Sequence, residues 1–302
     1  MRGNSIFRAL LFLLAFSPAI LFAQTKNNYN SQWRKIDSLV NKKGLTASAL
    51  TEVQKIYAAA KKEKNDPQVI KALIYQMGLQ QSREEEATEK AIALLEKEIA
   101  SATEPAKSIL QSILAQTYWI YFQNYRWKFY DRTETVNFKK EDIATWDISD
   151  FLKKSKELYS ESIKNERILQ ETKLEKFDPI IIKGNVRYLR PTLYDLLAHR
   201  AIDYYKAAGN EPKADTSYSA SLRLIFSKLK GLHNNNGNTA ALIDVTLEEI
   251  QYEYRESTDE NKDSLYYAAL QQLIAKYPNE KEISQAWYLL AETHAQKAAS
   301  YD

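Results

Sequence analysis

The chain contains no cysteine, and that one absence removes several chemistries together. No disulfide can brace it, and no thiol nucleophile, thiolate metal site or internal thioester can form. Stability must therefore come from packing. Glycine and proline number only seven each in 302 residues, well below ordinary usage, which disfavours an all-β fold with many tight turns. So few glycines leave no phosphate loop, no Gly-x-Gly-x-x-Gly turn and no Gly-x-Ser-x-Gly elbow. The three histidines, His199, His233 and His294, stand far apart and match no metal-ligand spacing, so neither a metal nor a cofactor is expected. An excess of charge is lacking too. Lys and Arg total 42 against 39 Asp and Glu, a net +3 that falls to +1 (40 against 39) without Arg2 and Arg8. That balance gives no reason to expect nucleic acid or an anionic membrane as partner.

What is present begins with a leader. Arg2 and Arg8 flank a cationic start, an apolar run covers Ala9 to Ala19, and Leu21-Phe22-Ala23 precede the polar Gln24-Thr25-Lys26. This is the layout of a secretory signal, with cleavage expected after Ala23. A membrane anchor is the alternative, but a spanning helix needs roughly 20 apolar residues. The mature chain is expected outside the inner membrane, in the periplasm, on the envelope or secreted, with no membrane span.

The remaining pattern is helical almost throughout. Trp33, Ile36, Leu39 and Val40 line one face, ended by Gly44; Leu50, Val53, Ile56, Tyr57 and Ala60 line the next, up to Asn65-Asp66-Pro67. Stripes follow at Val69 to Met77, at Ala91 to Ile99 and, after Glu104-Pro105, at Ile109 to Tyr118. Between Tyr125 and Thr145 the period breaks, which allows one short extended segment near 125–140. A helix is expected from Asp147 or Ser149 to about Phe177, then a strong one from Thr192 to Ala208. Another carries Leu222, Leu224, Ile225 and Leu229 and is expected to end at Gly231, with His233 to Asn238 an exposed loop open to proteolysis. Trp287, Leu290, Ala291 and His294 follow Tyr277-Pro278 in the manner of the first helix of a tetratricopeptide repeat. The expected fold is all-α: an antiparallel helical-hairpin array, tetratricopeptide-like towards the C-terminus. It divides into a signal peptide (1–23), N-terminal hairpins (24–140) and C-terminal repeats (141–302).

Candidate sites are few. From Tyr118 to Tyr130, eight of thirteen residues are aromatic. Tyr121, Tyr125, Arg126, Trp127, Tyr130 and Arg132 could form a platform that stacks a sugar, a base or a partner peptide. The competing and preferred account is that large rings fill wide gaps between helix layers. Asp195 and His199 are one helical turn apart; an intrahelical contact explains them better than a catalytic dyad, since no nucleophile accompanies them.

Several stretches carry a resemblance. They are Lys43-Gly44-Leu45 with Ser48-Ala49-Leu50, Val53 and Ile56-Tyr57; Ile70 to Tyr75; Tyr118-Trp119-Ile120-Tyr121; Arg126 to Thr133; Asp142 to Asp147; and Leu189 to Ala201. In order and length they resemble the N-terminal region of the large alpha-2-macroglobulin-family proteins of Bacteroidota. The resemblance implies an exported member of a protease-trapping or envelope-defence family. Trapping in that family uses a bait segment and, in many members, a Cys–Gln thioester in later domains. This sequence has neither, so none of those functional residues carries over. The Ala-rich stretch from Ala291 to Asp302 lacks a polar cap, which leads to the expectation of a fragment, or of an array completed by another chain.

The expected function is a non-catalytic scaffold or interaction module. Its partners would be downstream macroglobulin-like domains or envelope proteins, with target proteases engaged by the whole protein. The alternative is a free-standing periplasmic peptide- or glycan-binding array using the aromatic segment. A third possibility, a helical enzyme such as a lyase, is disfavoured by the missing acid–base constellation.

Overall fold

A computed structural model of the chain describes residues 28–81, 86–129 and 143–299. The leader expected at 1–23 lies outside these residues. Among the described residues the protein is all-α and without a sheet, its helices packed in sequential antiparallel pairs. The helices are α1 (Tyr29–Asn41), α2 (Thr46–Lys62), α3 (Asp66–Gln81), α4 (Ala87–Ser101), α5 (Ala106–Phe129), α6 (Ile148–Ser162), α7 (Glu166–Glu171), α8 (Leu193–Ala208), α9 (Ser217–Asn235), α10 (Thr239–Glu256), α11 (Lys262–Lys276) and α12 (Ser284–Ala299). Short 3₁₀ turns lie at Ile143–Thr145, Leu174–Ile180, Arg187–Leu189 and Lys281–Ile283. None of the described helices is long and apolar enough to cross a membrane.

Local chemistry sets the helix starts. The Asn28 side chain accepts from Ser31 N at the head of α1, and the Asn238 side chain accepts from Ala241 N at the head of α10. Asp147 with Asp150, and Thr192 with Asp195, form reciprocal capping boxes that satisfy otherwise orphaned N–H groups. Apolar stripes then bury against neighbours. One core runs from Tyr29 on α1 to Tyr252 on α10, and a second, built around Ile243, Leu247, Leu270 and Leu290, joins α10 to α11 and α12.

Four tyrosines serve the seams between helices. Each ring packs inward while its hydroxyl donates to a carboxylate on another helix or near its end: Tyr57 to Glu98 (2.6 Å), Tyr75 to Asp37 (2.8 Å), Tyr118 to Glu96 (3.1 Å) and Tyr29 to Glu63 (2.6 Å). Burial, reinforced by the neighbouring carboxylate, pushes the Tyr57 and Tyr75 hydroxyls up to about 12. These four tyrosines thus act as an amphipathic mortar, with rings packed inward and hydroxyls towards the rim.

Four expectations need correction. The helical period does not stop at Tyr125: α5 continues to Phe129, kinked at Tyr125 (φ −113°, ψ 18°), so Tyr125 to Phe129 is not extended. The rest of the segment proposed near 125–140 lies outside the described residues. The helix from Asp147 ends at Ser162; α7 and a 3₁₀ turn containing Pro179 cover the remainder to Phe177 and beyond. Gly231 does not end α9, which continues to Asn235 because Leu232 and His233 bury on its inner face. His233 is therefore no exposed loop residue: it is 1% exposed, and the turn proper is Asn236 to Asn238.

Candidate functional site

The aromatic segment lies on α5 and is mostly consumed in packing. Phe122 and Phe129 are fully buried and, with Tyr121, surround Phe151 of α6 at centroid distances of 5.9, 4.9 and 5.7 Å. Tyr118 stacks on Trp146 at 5.2 Å. The rings meet at the tilted and offset angles that the ring quadrupole favours. Of the candidate platform residues, Tyr121 is buried and donates its hydroxyl to Glu89 (3.1 Å), and Tyr125 packs on Tyr121 at 4.8 Å. Arg126 binds the buried carboxylate of Glu211 at 2.8 Å. Trp127 is 72% exposed, with Lys128 Nζ 5.2 Å from its ring centroid. Tyr130 and Arg132 lie outside the described residues. Among its described residues the segment thus presents one open ring, Trp127, with a buried nest behind it.

A polar centre that sequence spacing did not reveal sits where α8, α9 and α10 meet. Thr192 caps α8, and Asp195 Oδ2 accepts from Thr192 N (2.8 Å) and Thr192 Oγ1 (2.6 Å). The other oxygen, Oδ1, lies 3.0 Å from His233 Nε2 of α9. Burial pushes the Asp195 carboxyl up, but His233 and the Thr192 hydrogen bonds outweigh it and hold it below the usual carboxylate value. His199 Nδ1 donates to the Asp195 backbone carbonyl (2.8 Å), since a carbonyl can only accept. Its Nε2 is 3.4 Å from Glu248 of α10, which also holds Lys206 at 2.6 Å. Burial and then Arg190 lower the proton affinity of His199, against the pull of Glu248.

Asp195, His199 and His233 thus converge although His199 and His233 are distant in sequence. Asp195 and His199 are joined through a backbone carbonyl, as a helical turn predicts, and the carboxylate serves His233 instead. The three are 0%, 4% and 1% exposed, so the centre is closed to substrate. Among the described residues no group of three or more His, Cys, Asp or Glu side chains is arranged to hold a metal ion.

No family model, curated protein or solved structure matches this chain. Function must therefore be read from the side chains. Beside the closed polar centre, the last hairpin stands out: Leu265 on α11 and Trp287 and Tyr288 on α12 are 58%, 54% and 62% exposed. Ala286 and Leu290 turn the other way, into the second core.

Proposed function

We propose that the chain is a non-catalytic helical scaffold and interaction module, a tetratricopeptide-like array at the head of an exported alpha-2-macroglobulin-like protein. Protease trapping belongs, on this reading, to the whole protein. The observation that carries it is the last hairpin, where Leu265, Trp287 and Tyr288 are each more than half exposed, large apolar side chains of the kind that a further helical pair or a docked domain covers. The sequential antiparallel pairing agrees with an array, and the sealing of Asp195, His199 and His233 from solvent speaks against catalysis there.

The test is to read the gene beyond the codon for Asp302, then to measure association of this chain with the encoded downstream segment by sedimentation. Macroglobulin-like β-domains that bind, and bind at least about tenfold more weakly after Trp287→Ala with Tyr288→Ala, support the proposal. A reading frame without such domains, or domains that do not bind, overturns it. A second reading rests on Trp127: an open indole beside Lys128 suits a free-standing peptide- or glycan-binding array. Under that reading Trp127→Ala abolishes glycan or peptide binding, and the variants of the last hairpin leave it intact.

A further inference from the structure

A pocket of about 530 Å³ opens between α3, α4, α5, α8 and the stretch that follows the 3₁₀ turn at Leu174–Ile180. Each wall gives an apolar side chain: Ile74, Ala91, Ile113, Leu196 and Ile182. Ile182 is 99% exposed, and Ile74 and Ile120 at the margin are 39% and 44% exposed. The short apolar run Ile180-Ile181-Ile182, bounded by Pro179 and Gly184, edges this hollow: Ile180 and Ile181 also pack against the main core, while Ile182 stands out into solvent. Solvent-facing isoleucines gathered about one concavity are costly, and such a surface is expected where something binds. The volume falls within the roughly 300–1,000 Å³ typical of small-molecule pockets, and walls from five segments make a pocket and not a long groove for a helix.

Among the described residues one charged side chain lines it, Arg200 of α8. Its Nε donates to Ser112 Oγ (2.8 Å), and Nη2 donates to Gln116 Oε1 (2.6 Å) and Ser112 O (3.4 Å). All of these acceptors are neutral. Among the described residues Arg200 has no ion pair, its Nη1 makes no hydrogen bond, and no Asp or Glu lines the pocket. A cation held in place by neutral acceptors beside apolar walls is complementary to an anionic head on an apolar tail.

We propose that this pocket binds a single-chain anionic amphiphile, a free fatty-acid-like carboxylate, with its alkyl chain along the isoleucines and its carboxylate on Arg200. Purified chain is titrated with dansyl-undecanoate, followed by its fluorescence, and the probe is then competed with dodecanoate, with dodecanol and with phosphatidylglycerol vesicles. Saturable binding is expected, with dodecanoate displacing the probe at least about tenfold better than dodecanol and the vesicles not competing. Arg200→Gln should bring acid and alcohol to equal potency. Because Arg200 also ties α8 to α5, Ile120→Glu provides the independent arm. It changes a half-exposed position on the pocket wall, and should weaken dodecanoate about tenfold or more while circular dichroism stays that of the parent. The proposal is overturned by absence of saturable binding, by equal displacement by acid and alcohol in the parent chain, by competition from the vesicles, or by indifference to Ile120→Glu.

Discussion

His233 Nε2 lies 3.0 Å from Asp195 Oδ1, with both side chains shut away from solvent. Asp195 stands in the first turn of α8 and His233 in the last turn of α9. Asp195 thus meets the helix end whose dipole favours its negative charge. The same carboxylate completes the α8 capping box through Thr192, so one side chain both starts a helix and sets its register against the next. Glu248, shared by His199 and Lys206, extends the tie to α10.

Asp195→Asn keeps the shape and removes the charge. Breaking one side of a buried pair typically costs about 3–5 kcal/mol, and because the amide can still accept from Thr192 we expect a loss of about 2–4 kcal/mol. His233→Gln should cost a similar amount. In urea unfolding at neutral pH, the double variant should fall short of the sum of the singles by about 1 kcal/mol or more. Strict additivity would show that the two groups do not act as a pair.

Acid should weaken the fold in two stages. His199 binds its proton less readily in the folded state than its ordinary value of 6.5, because burial and Arg190 oppose the charge. Below that value the unfolded chain takes up a proton that the folded chain resists, so stability falls as pH drops from 6.5 towards the folded-state value. Asp195 is held below its ordinary 3.8, and its contribution is lost as pH falls through its depressed folded-state value. Asp244, raised chiefly by burial, has the opposite sign: its cost at neutral pH is relieved on acidification. Denaturant midpoints followed from about pH 7.5 to 5 should decline, and His199→Gln should flatten that decline. A slope unchanged by the substitution would remove His199 as its cause.

The aromatic segment divides into two kinds of ring, and truncation should separate them. Phe122 is fully buried among Phe129, Phe151 and Trp119, so Phe122→Ala should cost about 3–5 kcal/mol. Trp127 is 72% exposed, and Trp127→Ala should change stability by no more than about 0.5 kcal/mol. Thermal unfolding measures both. A large loss at Trp127 would mean that its ring is part of the core after all.

Much of the fold was legible because apolar period and cap chemistry are local. The stripe Leu193, Leu196, Leu197, Ala201 and Tyr204 with Thr192 ahead of it predicts α8 almost to the residue. The gap-filling account of the aromatics followed from their number, and the burial of Tyr118, Tyr121, Phe122 and Phe129 agrees with it. The polar centre was not legible, since His233 reaches Asp195 only through the antiparallel return of α9 along α8, and no spacing encodes that meeting. The Arg200 pocket was hidden for the same reason: its lining comes from five separate segments, and only the bounded isoleucine run gave a signal in sequence.

Glycine supplies the sharpest contrast between local reading and tertiary context. Gly231 reads as a helix end, yet it lies inside α9, and a Cβ there would meet nothing within 4 Å. Leu232 and His233 behind it carry the helix onward by burying, and an exposed glycine inside a helix costs roughly 0.5–1 kcal/mol relative to alanine. Gly231→Ala should therefore stabilise the chain by about that amount. Gly237 is the true stop: its φ of +66° is left-handed, and Gly237→Ala should destabilise by about 1–2 kcal/mol although space is equally open. Paired urea titrations of the two variants give opposite signs if α9 runs through to Asn235. If the helix ended at Gly231, Gly231→Ala would destabilise instead, because that glycine would then hold the turn.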